Sequence, residues 1–439
     1  MLSSRPFKLA AFLALAMVFS LAMFSQTATP SAASGDYIPN QYIVKLQPHI
    51  NAQAASQALA STHNMGVGHV YSHAFNGFSA TIPQGRLNAL QNDPRVVSIV
   101  PDEVLYLTQP PCGTPNGGPC PPDDGDGGGN DGDSGDSTQV IPTGINRIFA
   151  PNSSFNIGSG TADFSGVQVA VIDSGIDPDH PDLNVLGGVN FTSGPANRWS
   201  DGNGHGTHVA GTIAALDNNF GVVGVAPGAG LWAVKVCGNS GSCSLSGIIA
   251  GIDWVTARAD TIKVANMSLG GTGSPGACDD GGYREAICNS VAAGVTYVVA
   301  AGNSAADAGN FRPANFPEVI TVSALADFDG EPGGNGSPTC RNDTDDTLAN
   351  FSNYGSVVDL IAPGVCILST WPGNDYNSIS GTSMASPHVA GAAALYIHQN
   401  PGATPEQVRQ ALVNAGNFNW DNSTDPDGIK EPLLDVGGF

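Results

Sequence analysis

From residue 140 onward, apolar runs of strand length alternate with longer runs at helical spacing, and this alternation limits the chain to few architectures. Val167–Ile172 is almost continuously apolar, and Leu231–Val236, Val264–Leu269, Val295–Ala301 and Val319–Val322 repeat the pattern. Helical spacing fills the intervals His208–Leu216, Ser246–Arg258 and Tyr283–Ala293. A strand that is apolar on both sides must be covered on both sides. The expectation is therefore an α/β fold, a parallel sheet with helices on both faces. The preceding segment, 34–107, reads as a small α+β unit. It has strands at Tyr42–Leu46, Phe75–Ile82 and Val96–Val100, and helices at Ala52–His63 and Arg86–Asn92.

Charge and chain ends narrow the function classes. With 38 acidic and 15 basic residues the net charge is −23, which speaks against nucleic acid or an anionic membrane as partner. Arg5 and Lys8 precede the apolar run Leu9–Phe24, and small residues follow. Residues 1–33 thus read as a signal peptide, too short in its apolar part for the ~20 residues of a membrane span. The expected product is a secreted, extracellular monomer with no stable membrane association. Export permits disulfides, and proximity suggests the pairs Cys112–Cys120, Cys237–Cys243, Cys278–Cys288 and Cys340–Cys366. Residues 108–139, rich in Asp, Gly and Pro without a basic residue, read as an acidic extended linker between the first unit and the second, 140–439.

Three segments place polar residues where strands end or helices begin. In VIDSGID, Asp173 closes a buried strand, where α/β proteins build their sites, although an aspartate there also suits a turn cap. In GHGTHVAG, glycines flank His205 and let other backbone approach. His208, three residues on, leaves a two-histidine metal site conceivable. The spacing differs from the usual zinc pattern, and a packing role fits His208 better. In GTSMASPHVAG, Ser383 opens a helix, and Thr382 or Ser386 suits the cap equally well. Together the segments supply Asp, His and Ser. A serine hydroxyl needs a base, and that base needs an orienting carboxylate. The chain order Asp173, His205, Ser383 differs from that of α/β-hydrolases and of chymotrypsin-like barrels and matches subtilisin.

On these three motifs, residues 140–439 resemble the subtilases, secreted subtilisin-like serine peptidases. Residues 37–107 resemble the inhibitor-type propeptide that precedes many of them. The resemblance implies a seven-stranded parallel sheet. It implies Asp173 as orienter, His205 as general base then acid, Ser383 as nucleophile and Asn303 as side-chain donor to the oxyanion. It places substrate between a strand at Gly241-Ser242-Cys243 and one at Ser268-Leu269-Gly270-Gly271, with glycines leaving room for side chains. It implies a structural Ca2+ held by Gln139, Asp182 and Asn218 with the carbonyls of Leu216, Phe220 and Val222, an oxygen-only set that suits calcium. It also implies a zymogen. The propeptide is inhibitor and folding aid, Leu105–Thr108 lies product-like in the cleft, and the first cut falls near 107–110. The expected function is hydrolysis of polypeptide substrates through an acyl-enzyme, broad in specificity with an apolar preference before the cut bond. A narrow processing protease and a catalytically silent binding module of the same fold are the alternatives.

Overall fold

The computed structural model describes residues 37–108 and 138–439. The leader, the linker segment 109–137 and the cysteines at 112 and 120 lie outside the described residues. The first unit runs β1 (Tyr37–Leu46), α1 (Ala52–His63), β2 (Gly66–Tyr71), β3 (Gly77–Thr81), α2 (Leu87–Gln91) and β4 (Val96–Leu107). β1 lies antiparallel between β3 and β4, and β2 covers the other side of β3. Asn51 starts α1 by accepting from the Ala54 N–H, and Asn64 ends it in the left-handed region. Leu59 of α1 packs with Val44, Phe78 and Leu90 in a core of their own.

The second unit continues α3 (Thr143–Arg147), β5 (Gln168–Asp173), β6 (Val185–Asn190), α4 (His205–Ala214), β7 (Gly230–Lys235), β8 (Ser242–Ser244), α5 (Leu245–Thr256) and β9 (Ile262–Met267). After β10 (Leu269–Thr272), α6 (Tyr283–Ala292), β11 (Thr296–Ala300) and β12 (Phe311–Arg312) come β13 (Ile320–Ala326), β14 (Thr347–Leu348) and β15 (Leu360–Pro363). A hairpin, β16 (Ile367–Trp371) and β17 (Asp375–Ile379), precedes α7 (Thr382–Gln399) and α8 (Pro405–Ala415).

The main sheet has the order β6-β7-β5-β9-β11-β13-β15, every neighbour parallel. These are the seven expected strands; the short β14 adds antiparallel to β13. Alternation along β5 divides the interior. Val169 and Val171 face the core shared with α4 and α7, whereas Ala170 and Ile172 face the core of α5 and α6. The sheet is therefore buried on both sides, which is why its sequence reads as unbroken apolar runs.

Several elements differ from expectation, among them two unexpected strands and one strand end. β2 and β6, with the sequences GVGHVY and VLGGVN, carry glycines and lie partly exposed at sheet edges, so neither has a strong strand signal. β4 ends not at Val100 but at Leu107. Its second half becomes a strand by pairing with β8 and β10 of the other unit, a tertiary cause that local sequence does not carry. Two buried carboxylates fix the same interface. Asp102 accepts from the N–H and hydroxyl of Ser246 at the start of α5, at 2.9 and 2.5 Å. Asp253 of α5 accepts from the N–H groups of Ser72, His73 and Ala74.

Among the described residues no helix is long and apolar enough to cross a membrane. The disulfides Cys237–Cys243, Cys278–Cys288 and Cys340–Cys366 are formed.

Candidate active site

The C-terminal end of β5 sets the first side chain. Asp173 is fully buried, and its two carboxylate oxygens lie 2.8 and 3.0 Å from Nδ1 of His205, the first residue of α4. The backbone can come this close because Gly206 has no side chain: a Cβ there would overlap the Gly175 carbonyl oxygen. Asp201 holds the loop ahead of the helix. Its carboxylate accepts from the hydroxyl of Ser174, the N–H groups of Asn203 and Gly204, and both N–H and hydroxyl of Thr207. Ser174 in turn accepts from the Gly206 N–H. The other ring nitrogen of His205, Nε2, is buried and takes no hydrogen bond among the described residues.

Ser383 stands in the first turn of α7, which packs against α4. Its hydroxyl donates to the carbonyl oxygen of Thr108 at 2.8 Å and lies 2.6 Å from the Thr108 hydroxyl. The side-chain N–H of Asn303 donates to that same Thr108 carbonyl. Asn303 follows β11, and Thr382 fixes it: the backbone N–H and hydroxyl of Thr382 donate to its Oδ1 at 2.9 and 2.8 Å. A buried polar chain supports the turn from below. Ser386 donates to Asn266, Asn266 to Ser268, and the Ser268 hydroxyl to the Ser383 carbonyl at 2.9 Å. Sequence reasoning missed Thr382, Asp201 and Asn266 as supports. Thr382 lies inside the third motif and Asp201 just ahead of the second, whereas Asn266 lies in none of the three.

The cleft is filled by the chain's own residues 104–108. Val104, Leu105 and Tyr106 pair with Ser244, Cys243 and Ser242, while Tyr106 and Leu107 pair with Gly270 and Leu269. Leu107 N–H donates to the Gly241 carbonyl, and Thr108 N–H to that of Ser268. This is strand addition between two edges. Room for side chains is real at two of the three glycines: a Cβ on Gly241 or Gly271 would stand 3.6 or 3.5 Å from Leu107 or Leu105. Gly270 is different; its missing side chain admits the Arg312 carbonyl, not a substrate group. A cavity of about 370 Å3 runs beside this strand, walled by Gly270, Ala300, Ala301, Gly302 and Phe311.

The side chains expected around calcium come together, and within the same loop the Phe220 N–H donates to Asn218 Oδ1. The Gln139 carboxamide lies 2.9 and 3.4 Å from the carbonyls of Leu216 and Val222. Asn218 donates to Asp182 at 2.7 Å. Asp182 is fully buried, and burial raises its carboxyl above the usual range despite hydrogen bonds from Val222, Asn218 and Tyr376. A buried carboxylate among carbonyl and amide oxygens is the donor chemistry that a hard cation such as Ca2+ takes.

His208 is a packing residue. Its Nε2 lies 2.8 Å from the Ile367 carbonyl and 3.1 Å from that of Asn377. Burial pushes its pKa down to about 3, and that of buried His388 down to about 4. Both are depressed below the unfolded value of 6.5, so their full contribution is present above pH 6.5 and declines as pH falls toward the folded values. At pH 5 the loss is about 2 kcal/mol for each. Denaturant unfolding of a Ser383→Ala chain between pH 7 and 5 measures it. Because Asp327, Asp359 and Glu431 have raised pKa values and act in the opposite sense, the histidine part is read as the change in this profile on His388→Gln, and an unchanged profile would show that His388 titrates normally.

Residues 165–429 match the model described as the subtilase family of peptidases, and residues 41–108 match that of the peptidase inhibitor I9 family. Subtilisin NAT of Bacillus subtilis subsp. natto is 35% identical over 411 residues, 92% of either chain. Subtilisin Savinase of Lederbergia lenta is 45% identical over 276 residues, covering 63% of this chain and 91% of that one. Among solved structures, a cold-adapted subtilisin-like serine proteinase aligns with a TM-score of 0.52 at 36% identity, over 68% of this chain and 99% of its own.

Proposed function

The chain belongs to the subtilase family of serine endopeptidases, and from that premise we propose that Asp173, His205, Ser383 and Asn303 carry its chemistry. The observation that supports this most directly is the Thr108 carbonyl, which meets the Ser383 hydroxyl and the Asn303 amide together while residues 104–107 lie as an added strand. Asp173 holds the proton of His205 on Nδ1, which leaves Nε2 free to act as base. Ser383 Oγ attacks the substrate carbonyl carbon as its proton passes to Nε2. The oxygen becomes an oxyanion facing the Asn303 N–H and the backbone N–H of Ser383. His205 then gives the proton to the leaving amine, and an acyl-enzyme remains. Water, deprotonated by the same Nε2, releases the acid and restores Ser383.

The inhibitor unit holds the enzyme silent by filling its own cleft, and we assign the first cut to the bond after Thr108. It also serves as template for a parallel sheet whose non-local contacts form slowly. The apolar walls beside residues 103–108 suit broad specificity with an apolar residue before the cut bond, in a secreted enzyme. Gln139, Asp182 and Asn218, with the carbonyls of Leu216, Phe220 and Val222, would hold a structural Ca2+. That ion supplies charge compensation for Asp182 and no step of the reaction.

A serine-reactive fluorophosphonate tests the assignment: labelling that persists in Ser383→Ala rejects it. Asn303→Ala is expected to lower kcat by about 10²–10³, the range found when subtilisin loses such a donor, with KM changing little. Steady-state kinetics on one peptide measure both, and an unchanged kcat would remove Asn303 from the oxyanion hole.

A further inference from the structure

Glu103 lies five residues before Thr108, on the same face of β4 as Leu105 and Leu107. Its Oε1 lies 2.8 Å from Nη2 of Arg312, with the two side chains only 11% and 18% exposed. Arg312 reaches this position from β12, which pairs with β10, itself a neighbour of β4. Its Nη2 also contacts the Thr272 carbonyl at 3.3 Å, and its Nε is buried without a partner among the described residues. When the propeptide leaves, the Arg312 guanidinium beside the cleft loses its carboxylate partner. A peptide that takes the same backbone pairing over the positions of residues 104–108 carries its sixth residue before the cut bond toward Arg312, whereas the Glu103 backbone itself pairs with Tyr37 of the propeptide.

We propose that Arg312 forms a subsite for an acidic side chain at that sixth position, which makes part of the enzyme's selectivity electrostatic. The inference rests on the reading that Thr108 occupies the acyl position, and it names a substrate feature which that reading leaves open. A charge-assisted hydrogen bond from Arg312 should favour Glu over Gln by roughly tenfold.

The test uses the self-processed enzyme and two fluorogenic peptides that present Glu-Val-Leu-Tyr-Leu-Thr or Gln-Val-Leu-Tyr-Leu-Thr before the cut bond. A third peptide with only Leu-Tyr-Leu-Thr serves as reference. The expected kcat/KM ratio of Glu to Gln is roughly ten, expressed in KM. Calorimetric titration of the two hexapeptide products should give the same ratio in Kd. In Arg312→Gln both ratios should fall to about one, and Arg312→Glu should prefer Lys at that position. Equal affinities and equal kcat/KM for the Glu and Gln peptides in the parent enzyme overturn the subsite. Failure to hydrolyse the reference peptide instead overturns the assigned chemistry, and the binding ratio still decides the case for Arg312.

Discussion

Ser383→Ala yields a chain that is never cut after Thr108 and hydrolyses peptides about 10⁶-fold more slowly, the loss known when subtilisin is stripped of its nucleophile. The substitution removes the one hydroxyl that meets the Thr108 carbonyl and leaves the rest of the cradle in place. Asn303 still donates to that carbonyl, Thr382 still fixes Asn303, and residues 104–107 keep their pairing with β8 and β10. Binding and chemistry therefore separate. The inhibitor unit remains docked through Asp102 and Asp253, and the product is a single uncut polypeptide of native fold. Electrophoresis, N-terminal sequencing and circular dichroism check this. Processing at the parent rate would show that another nucleophile, or another protease, makes the cut. His205→Ala should behave alike, because an unassisted serine hydroxyl is a poor nucleophile.

The sequence and the fold agree where a residue's role is local. β5 is legible because both of its faces are buried, and Asp173 because it stands at that strand's end. His205 and Ser383 stand out only as members of a set, by their motifs and their chain order after Asp173, because each alone also suits a cap or a packing role. What escapes is whatever depends on a distant partner. Val104–Leu107 is not apolar on alternate positions; its own pattern does not mark a strand, which only the family resemblance implies, and it is one because β8 and β10 lie on either side. Thr382 resembles a helix cap but spends its N–H and hydroxyl on Asn303, 79 residues away in sequence. Asn266, in the middle of a buried apolar strand, looks like a misplaced polar residue until Ser386 and Ser268 complete its hydrogen bonds. Gly270 misleads in the opposite sense. Its neighbours make room for substrate, whereas Gly270 makes room for the backbone of Arg312. Such pairings are fixed by the sheet's crossover order, to which no short motif is sensitive.

Chelating calcium should shorten the lifetime of the matured enzyme by about 100-fold at a temperature it otherwise withstands. The argument starts from Asp182. A fully buried carboxylate with only hydrogen-bond donors around it is costly, and burial already outweighs those donors in raising its pKa. A cation bound only by the folded state stabilises it by mass action, about 2.7 kcal/mol when present at 100 times its Kd, which is the 100-fold in the unfolding equilibrium. The loop 216–222 that gathers these oxygens also holds the start of the second unit: Val140 donates to the Gly221 carbonyl, and the Asn218 N–H donates to Gln139 Oε1. Losing the ion should therefore loosen residues 138–140 and the loop together and expose both to the enzyme's own cutting. Two measurements separate the parts of this. In active enzyme, EDTA should bring fragments that begin within or just after these segments, seen by mass spectrometry. In Ser383→Ala, EDTA should lower the melting temperature without any fragment, and Asp182→Asn should abolish that response to EDTA. Thermal inactivation that ignores EDTA, in an enzyme shown by elemental analysis to be metal-free, would mean that Gln139, Asp182 and Asn218 hold the loop by their own hydrogen bonds alone.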